Sequence, residues 1–147
     1  MPNVRGVDHA VEVLSYCRYG PVGARSIGRL SGGSDNPLCF LVLETAQALA
    51  QLDSILALEG IDGIYVGPRD LSLSLGKAGD SDREEMSQII SSILDRCVAA
   101  HRPVGVHTND GAGAASYRHA GATIITAAMD RAVLRTSLCR ELAVARS

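Results

Sequence analysis

The stretch Ile61-Asp62-Gly63-Ile64-Tyr65-Val66-Gly67-Pro68-Arg69-Asp70-Leu71-Ser72 runs from an apolar strand into a turn that carries an acid. A strand that delivers a carboxylate at its C-terminal tip is how parallel α/β sheets build active sites. The apolar run before it, Leu38-Cys39-Phe40-Leu41-Val42-Leu43, ends the same way, at Glu44. One helix-sized interval separates the two runs. That spacing predicts neighbouring parallel strands, with two carboxylates at one edge of a sheet that can converge on a single cation.

The rest of the chain repeats this rhythm. Residues 7–18 read as a helix, with Val7, Ala10, Val11, Leu14 and Cys17 at helical spacing and Asp8 in the first turn. A loop rich in Gly, Pro and Ser covers 19–36. The pattern then predicts a strand to Glu44, a helix over 45–59, a strand over 61–66 and a helix over 83–100. In that last helix Met86, Ile89, Ile90, Ile93, Leu94 and Cys97 form one apolar stripe. A strand over 103–107, a helix over 111–119, a strand over 122–128 and a helix over 130–146 complete the chain. Near-continuous apolar strands, each followed by a helix, mean an α/β fold with a parallel sheet covered by helices. Gly60 and Gly121 stand just past helices, where a helix-ending glycine is expected.

Four such strands are visible, half the complement of a (β/α)₈ barrel, which takes about 250 residues. Met1-Pro2-Asn3-Val4 reads as the tail of a further strand. The expectation is one α/β domain over 1–147, either complete in itself or half of a barrel. The open edges of four parallel strands call for pairing or cover.

Composition narrows the function. Of the 147 residues 46% are hydrophobic but only 3% aromatic, so the core is mostly aliphatic. Fourteen basic residues against sixteen acidic ones give a net charge of −2, which argues against a nucleic-acid partner gripped through its phosphates. No apolar run approaches the roughly 20 residues that cross a bilayer, and no secretory leader pattern is present, so no membrane role and a cytoplasmic location are expected. Cys17, Cys39, Cys97 and Cys139 have no paired spacing for zinc or a redox dithiol, and are expected to be buried, reduced thiols.

Three segments in order, residues 17–26 (Cys-Arg-Tyr-Gly-Pro-Val-Gly-Ala-Arg-Ser), 41–45 (Leu-Val-Leu-Glu-Thr) and 59–72 around Gly-Pro-Arg-Asp-Leu-Ser, together resemble the C-terminal half of the HpcH/HpaI aldolase family. These are metal-dependent pyruvate aldolases related to the citrate lyase β-subunit. The likeness continues through Gly76, Gly105-Val106-His107 and Ala127-Ala128-Met129-Asp130, and covers essentially the whole chain. It implies a TIM-type barrel in which an acid at each of two strand ends holds a divalent cation, here Glu44 and Asp70. Mg²⁺ or Mn²⁺ prefers such oxygen ligands and leaves positions for water and a chelating 2-oxo acid, and Co²⁺ is also compatible. The turn Gly67, Pro68, Arg69 and Asp70, at a helix N-terminus, suits the carboxylate of that small-molecule substrate. Arg25, in the loop, is a candidate for a substrate carboxylate, and His107, at a strand end, for proton transfer. Taken alone, Asp70 reads rather as a helix N-cap, Glu44 as a first-turn acid and His107 as a structural histidine.

The chain departs from the resemblance in three places. The family's N-terminal half is absent, with its base histidine and a pyruvate-contacting arginine. Val42 stands where many members have a glutamine, and Arg69 where a small residue is common. Two functions follow from this. One is a carbon–carbon lyase acting through a pyruvate enolate, active if another chain supplies the missing half or if the sequence is itself a truncation. The other is a non-catalytic half-barrel that binds a metal or oxo acid, or drives oligomerisation. Either way the sticky strand edges predict a homo-oligomer or a chain completing the barrel.

Overall fold

Strand β1 (Phe40–Leu43) pairs in parallel with β2 (Gly63–Val66), matching Phe40 to Gly63 and Leu43 to Val66. Strand β3 (Val104–Val106) adds to β2, and β4 (Ile124–Ile125) to β3, also in parallel. The molecule is described by a computed structural model over residues 1–21, 23–26 and 37–146. Within these residues the sheet order is β1-β2-β3-β4, so each strand lies beside its neighbours in sequence. A doubly wound sheet reverses its order partway and carries helices on both faces. A sheet that never reverses, with right-handed crossovers, keeps its helices on one face, as a barrel does.

Burial follows that rule. Leu41, Leu43, Ile64, Val66, Val104 and Val106, all on one face, are buried. Helices α1 (Val7–Cys17), α2 (Ala46–Ala50), α3 (Leu52–Leu56), α4 (Pro68–Ser74) and α5 (Arg83–Ala99) share the core with them through Ala10, Ala48, Leu52, Leu71 and Ile93. Burying each of the larger aliphatic side chains contributes about 1.5–3 kcal/mol. On the opposite face Phe40, Val42, Tyr65 and Ile124 remain half-buried. Two glycines make room there: a Cβ on Gly63 would meet the Phe40 ring and come within 2.6 Å of the Pro103 carbonyl oxygen, and one on Gly105 would lie 2.9 Å from Tyr65 Cδ2.

Met1 extends the sheet past β1. Its ammonium donates to the Phe40 carbonyl at 2.7 Å and its carbonyl accepts from Val42 N–H at 2.9 Å. This is the alternating pattern of a parallel pair, but it is confined to Met1: Asn3, with φ +56°, leaves the extended conformation, so the strand tail foreseen over 1–4 does not extend through these residues.

At the end of the sheet where the strands begin, two arginines tie connections together. Arg18 donates to the carbonyls of Pro37 and Gly60 and sits 3.4 Å from the Asp62 carboxylate. Arg102 donates to three carbonyls, those of Leu56, Leu58 and Ile61, at 3.1, 2.9 and 2.9 Å. Gly60 (φ +85°) and Gly121 (φ +99°) adopt the left-handed conformation that ends a helix, as the sequence predicts.

The elements differ from expectation in three places. The helix foreseen over 45–59 is broken at Gln51, whose backbone leaves the helical conformation (φ −110°, ψ +17°); its side chain accepts the Val7 N–H at 3.0 Å, a free donor at the start of α1. The strand foreseen over 122–128 shrinks to Ile124–Ile125, since it pairs on only one side. The cysteines are not all buried and unpaired. Cys17 and Cys39 lie with their sulfurs 3.3 Å apart, and Cys139 is exposed. All four are free thiols. Burial, reinforced by the Cys17 contact, pushes the Cys39 thiol up to about 11, and burial pushes Cys97 to about 11. Both therefore stay neutral at physiological pH, where the thiolate needed for reaction is scarce.

Helix α6 (Gly111–His119) leads into β4, and α7 (Asp130–Ala145) closes the chain. No residue of α7 is buried, and Leu134, Leu138 and Leu142, spaced one turn apart, are 61%, 53% and 52% exposed. No helix of the described residues is long and apolar enough to cross a membrane.

Candidate functional site

The parallel register carries the two acids to the same end of the sheet. Glu44 follows the last residue of β1, and Gly67 the last of β2. Gly67 N–H donates to the Leu43 carbonyl at 3.2 Å, and His107 N–H to the Val66 carbonyl at 3.0 Å. Glu44, Gly67 and His107 are thus consecutive across the strand ends. Strand alternation sets them on the half-buried face, in line with Val42, Tyr65 and Gly105.

Glu44 is held from one side only. Its Oε1 accepts the Asn3 N–H at 2.5 Å. A Cβ on residue 67 would stand 3.1 Å from Oε2, so the absence of a side chain at Gly67 gives this carboxylate its place. No residue among those described donates to Oε2. The first-turn explanation for Glu44 does not hold, because the next residue, Thr45, is the N-cap of α2. Its hydroxyl accepts from Ala48 N–H at 3.1 Å and donates to the Val4 carbonyl at 2.7 Å.

Asp70 is not the cap of its helix either. Gly67 holds the N-cap position of α4, Pro68 starts the helix, and Asp70 sits in the first turn without a capping bond. Its carboxylate is exposed and has no hydrogen-bond or ion-pair partner among the described residues. The turn offers fewer amides to an anion than expected: Gly67 N–H is taken by Leu43 and Pro68 has none, which leaves those of Arg69 and Asp70.

Two carboxylates beyond neighbouring strand ends, Asp70 without a partner among the described residues and Glu44 bonded through Oε1 alone in a space that a Cβ on residue 67 would fill, fit a hard divalent cation that completes its shell with water and substrate oxygens. Among the described residues no cluster of three or more His, Cys, Asp or Glu side chains could cage an ion alone. The donor set is therefore an open one.

His107 has a partner that the sequence reading missed. Tyr65 Oη lies 3.3 Å from His107 Nδ1, and the same hydroxyl meets Thr126 Oγ1. The two rings sit edge to face with centroids 6.5 Å apart. This contact engages Nδ1, and among the described residues none bonds to Nε2. The signal was present in the alternation of β2, which puts Tyr65 on the same face as Gly63 and Gly67.

Arg25 is not brought to this group. Its N–H donates to the Arg18 carbonyl at 2.9 Å, and its guanidinium stacks on Tyr19, 4.7 Å from the ring centre. Arg18 itself is anchored to Pro37, Gly60 and Asp62, which precede β1 and β2. Arg25 thus belongs with the strand starts, at the opposite end of the sheet from Glu44 and Asp70. Residues 22 and 27–36 of its loop lie outside those described.

Comparison with known proteins identifies the family and the fold. The profile of the HpcH/HpaI aldolase/citrate lyase family matches residues 1–137. A 2-keto-3-deoxy-L-rhamnonate aldolase of Klebsiella pneumoniae is 32% identical over 161 aligned positions, covering all of this chain and 60% of the relative. A hydroxypyruvate/pyruvate aldolase of Roseobacter denitrificans is 34% identical, over 91% of this chain and 58% of its own length. Among solved structures, an HpcH/HpaI aldolase/citrate lyase family protein from Burkholderia cenocepacia superposes with a TM-score of 0.89 at 25% identity, over the whole chain and 64% of the neighbour. An HpcH/HpaI aldolase from Desulfitobacterium hafniense shares the fold, with a TM-score of 0.85. The chain thus spans about 60% of the length of the curated relatives it matches. With the sequential parallel sheet, the strand-end acids and a family match over nearly all its residues, this chain belongs to the HpcH/HpaI aldolase/citrate lyase family.

Proposed function

We propose that this chain is the metal-binding part of an aldolase that cleaves a 4-hydroxy-2-oxo acid to pyruvate and an aldehyde. The observation that carries the reading is the juxtaposition of Glu44 with the Gly67–Asp70 turn, each acid retaining oxygens that no protein group uses. The Arg69 and Asp70 amides would orient the substrate carboxylate. Glu44 and Asp70 would hold Mg²⁺, Mn²⁺ or Co²⁺, which supplies fixed positive charge beside the ketone. The C3–C4 bond breaks as a base takes the 4-hydroxyl proton. The bonding electrons pass into the pyruvate enolate, and C3 then regains a proton. His107, steadied at Nδ1 by Tyr65, is the nearest candidate on this chain to carry a proton in that exchange.

The test is pyruvate release from a 4-hydroxy-2-oxo acid by the full chain with Mn²⁺ or Mg²⁺. Turnover that EDTA abolishes and Mn²⁺ restores supports the reading. Bound metal with no turnover above background supports the other one, a half-barrel that binds metal or oxo acid without catalysis. That second reading draws on the half-buried inner face of Phe40, Val42, Tyr65 and Ile124, which a full barrel would cover. Both readings call for cover of that face, by further strands or by a second copy of this chain, and the exposed leucines of α7 support an assembly. A purely monomeric sedimentation profile at micromolar concentration would count against it. The free thiols of Cys17, Cys39, Cys97 and Cys139 support a reducing, cytoplasmic setting.

A further inference from the structure

Cys17, the last residue of α1, and Cys39, the residue just before β1, stand 22 positions apart in the chain, yet their sulfurs lie 3.3 Å from each other. A disulfide bond is about 2.05 Å long, so little more than an ångström of approach separates this contact from a covalent link. Among the described residues Cys97 and Cys139 meet no other sulfur.

The contact is braced on both sides by bonds that do not involve sulfur. Arg18, next to Cys17, donates to the Pro37 carbonyl at 2.5 Å and to that of Gly60 at 2.9 Å. Its ion-pair partner Asp62 accepts the Cys39 N–H at 2.5 Å and donates its own N–H to the Cys39 carbonyl at 3.0 Å. The backbone beside each sulfur is therefore held in register with the other, and closing the link asks none of these bonds to break.

The two thiols are not equivalent. Cys17 is half-buried, whereas Cys39 is 2% exposed. Burial first, and then the Cys17 contact, push the Cys39 thiol up to about 11, against the pull of Arg18. An oxidant therefore meets Cys17 first, and Cys39 stands ready as the second attacker.

We propose that Cys17 and Cys39 form a reversible disulfide staple between the end of α1 and the start of β1, made by exchange with a small disulfide such as oxidised glutathione. The pair lies at the end of the sheet where the strands begin, away from Glu44 and Asp70, so the staple stands apart from the aldolase reading. In the first step the Cys17 thiolate attacks one sulfur of the oxidant. The oxidant's S–S bond breaks, and the departing thiolate takes up the proton that Cys17 lost. In the second step the Cys39 sulfur bonds to Cys17 and displaces the remaining thiolate, which receives the Cys39 proton. The chain gives up two electrons and two protons, and the oxidant becomes two thiols.

The test incubates the full chain with equal, millimolar concentrations of oxidised and reduced glutathione and maps its peptides by mass spectrometry. The peptides of Cys17 and Cys39 should be found joined, at least tenfold in excess over the dithiol form, with Cys97 still free. Dithiothreitol should restore both thiols. The melting temperature should rise by roughly 10 °C on oxidation, because the closed ring over residues 17–39 restricts the unfolded chain. In Cys39→Ala, exchange should stop at Cys17 as a mixed disulfide with glutathione, without that rise; circular dichroism shows that the variant keeps its helices. No joined peptide in the unaltered chain would overturn the staple. So would pairing of either cysteine with Cys97 or Cys139 instead, or a link that leaves the melting temperature unchanged.

Discussion

Glu44→Gln is expected to lower kcat/KM for pyruvate release by about three orders of magnitude, close to 4 kcal/mol of transition-state stabilisation. The amide keeps the shape of the side chain and still offers an oxygen to the Asn3 N–H, so the fold beside Gly67 is preserved. What it loses is the negative charge that would draw a divalent cation to the end of β1. Mn²⁺ affinity, read by calorimetry, should fall with the activity. Asp70→Asn should behave alike, because the Asp70 carboxylate has no structural task in α4. Gly67→Ala is a gentler version of the same experiment. Its Cβ would press on Oε2 from 3.1 Å, shifting the carboxylate without discharging it. If Glu44→Gln keeps more than a tenth of the activity with unaltered metal dependence, the two strand-end acids are not the metal ligands.

The largest effect on stability is expected at Arg102. Its guanidinium serves the carbonyls of Leu56, Leu58 and Ile61 together, binding the end of α3 and the approach to β2 to the start of β3. Arg102→Met retains most of the apolar stem and removes all three bonds. Charge-assisted bonds contribute roughly 1.5–3 kcal/mol each, but water reaches this half-buried site and the three act as a unit, so a total near 3 kcal/mol is expected. For a chain of this size that lowers the melting temperature by about 10 °C. Lysine should recover little, since a single ammonium cannot span three acceptors set out for a planar fork. A loss below 1 kcal/mol in chemical denaturation would show that solvent already satisfies those carbonyls.

The fold was legible because its signals are local. Apolar runs bounded by Gly60, Gly67 and Gly121 marked strands and helix ends, and the sequential order of βα units leaves few topologies open. The placement of Glu44 and Asp70 beyond neighbouring strand ends was legible for the same reason, each being the first acid after a strand. The misreadings come from contacts across long separations. Gln51, at the break between α2 and α3, bonds to Val7, 44 residues away, and Cys17 meets Cys39, which propensity cannot foresee. Arg25 was drawn to the site by the resemblance of its loop to the family's, whereas its hydrogen bond to Arg18 carries it to the other end of the sheet. Tyr65 was overlooked because it was counted as strand filling. Only the facing positions of β3 and β4 give its hydroxyl His107 and Thr126 as neighbours.

Because each strand of β1-β2-β3-β4 pairs only with the one made just before or after it, the sheet can be laid down in the order of synthesis. As the chain leaves the ribosome, β1 can dock on the residue 1–3 segment before β2 emerges, and every later unit meets a template already in place. Ring closures stay short throughout, so ordering them costs little entropy and nascent edges are capped soon after they appear. Pausing translation within any unit should therefore leave a growing layer that is ordered up to its last finished strand.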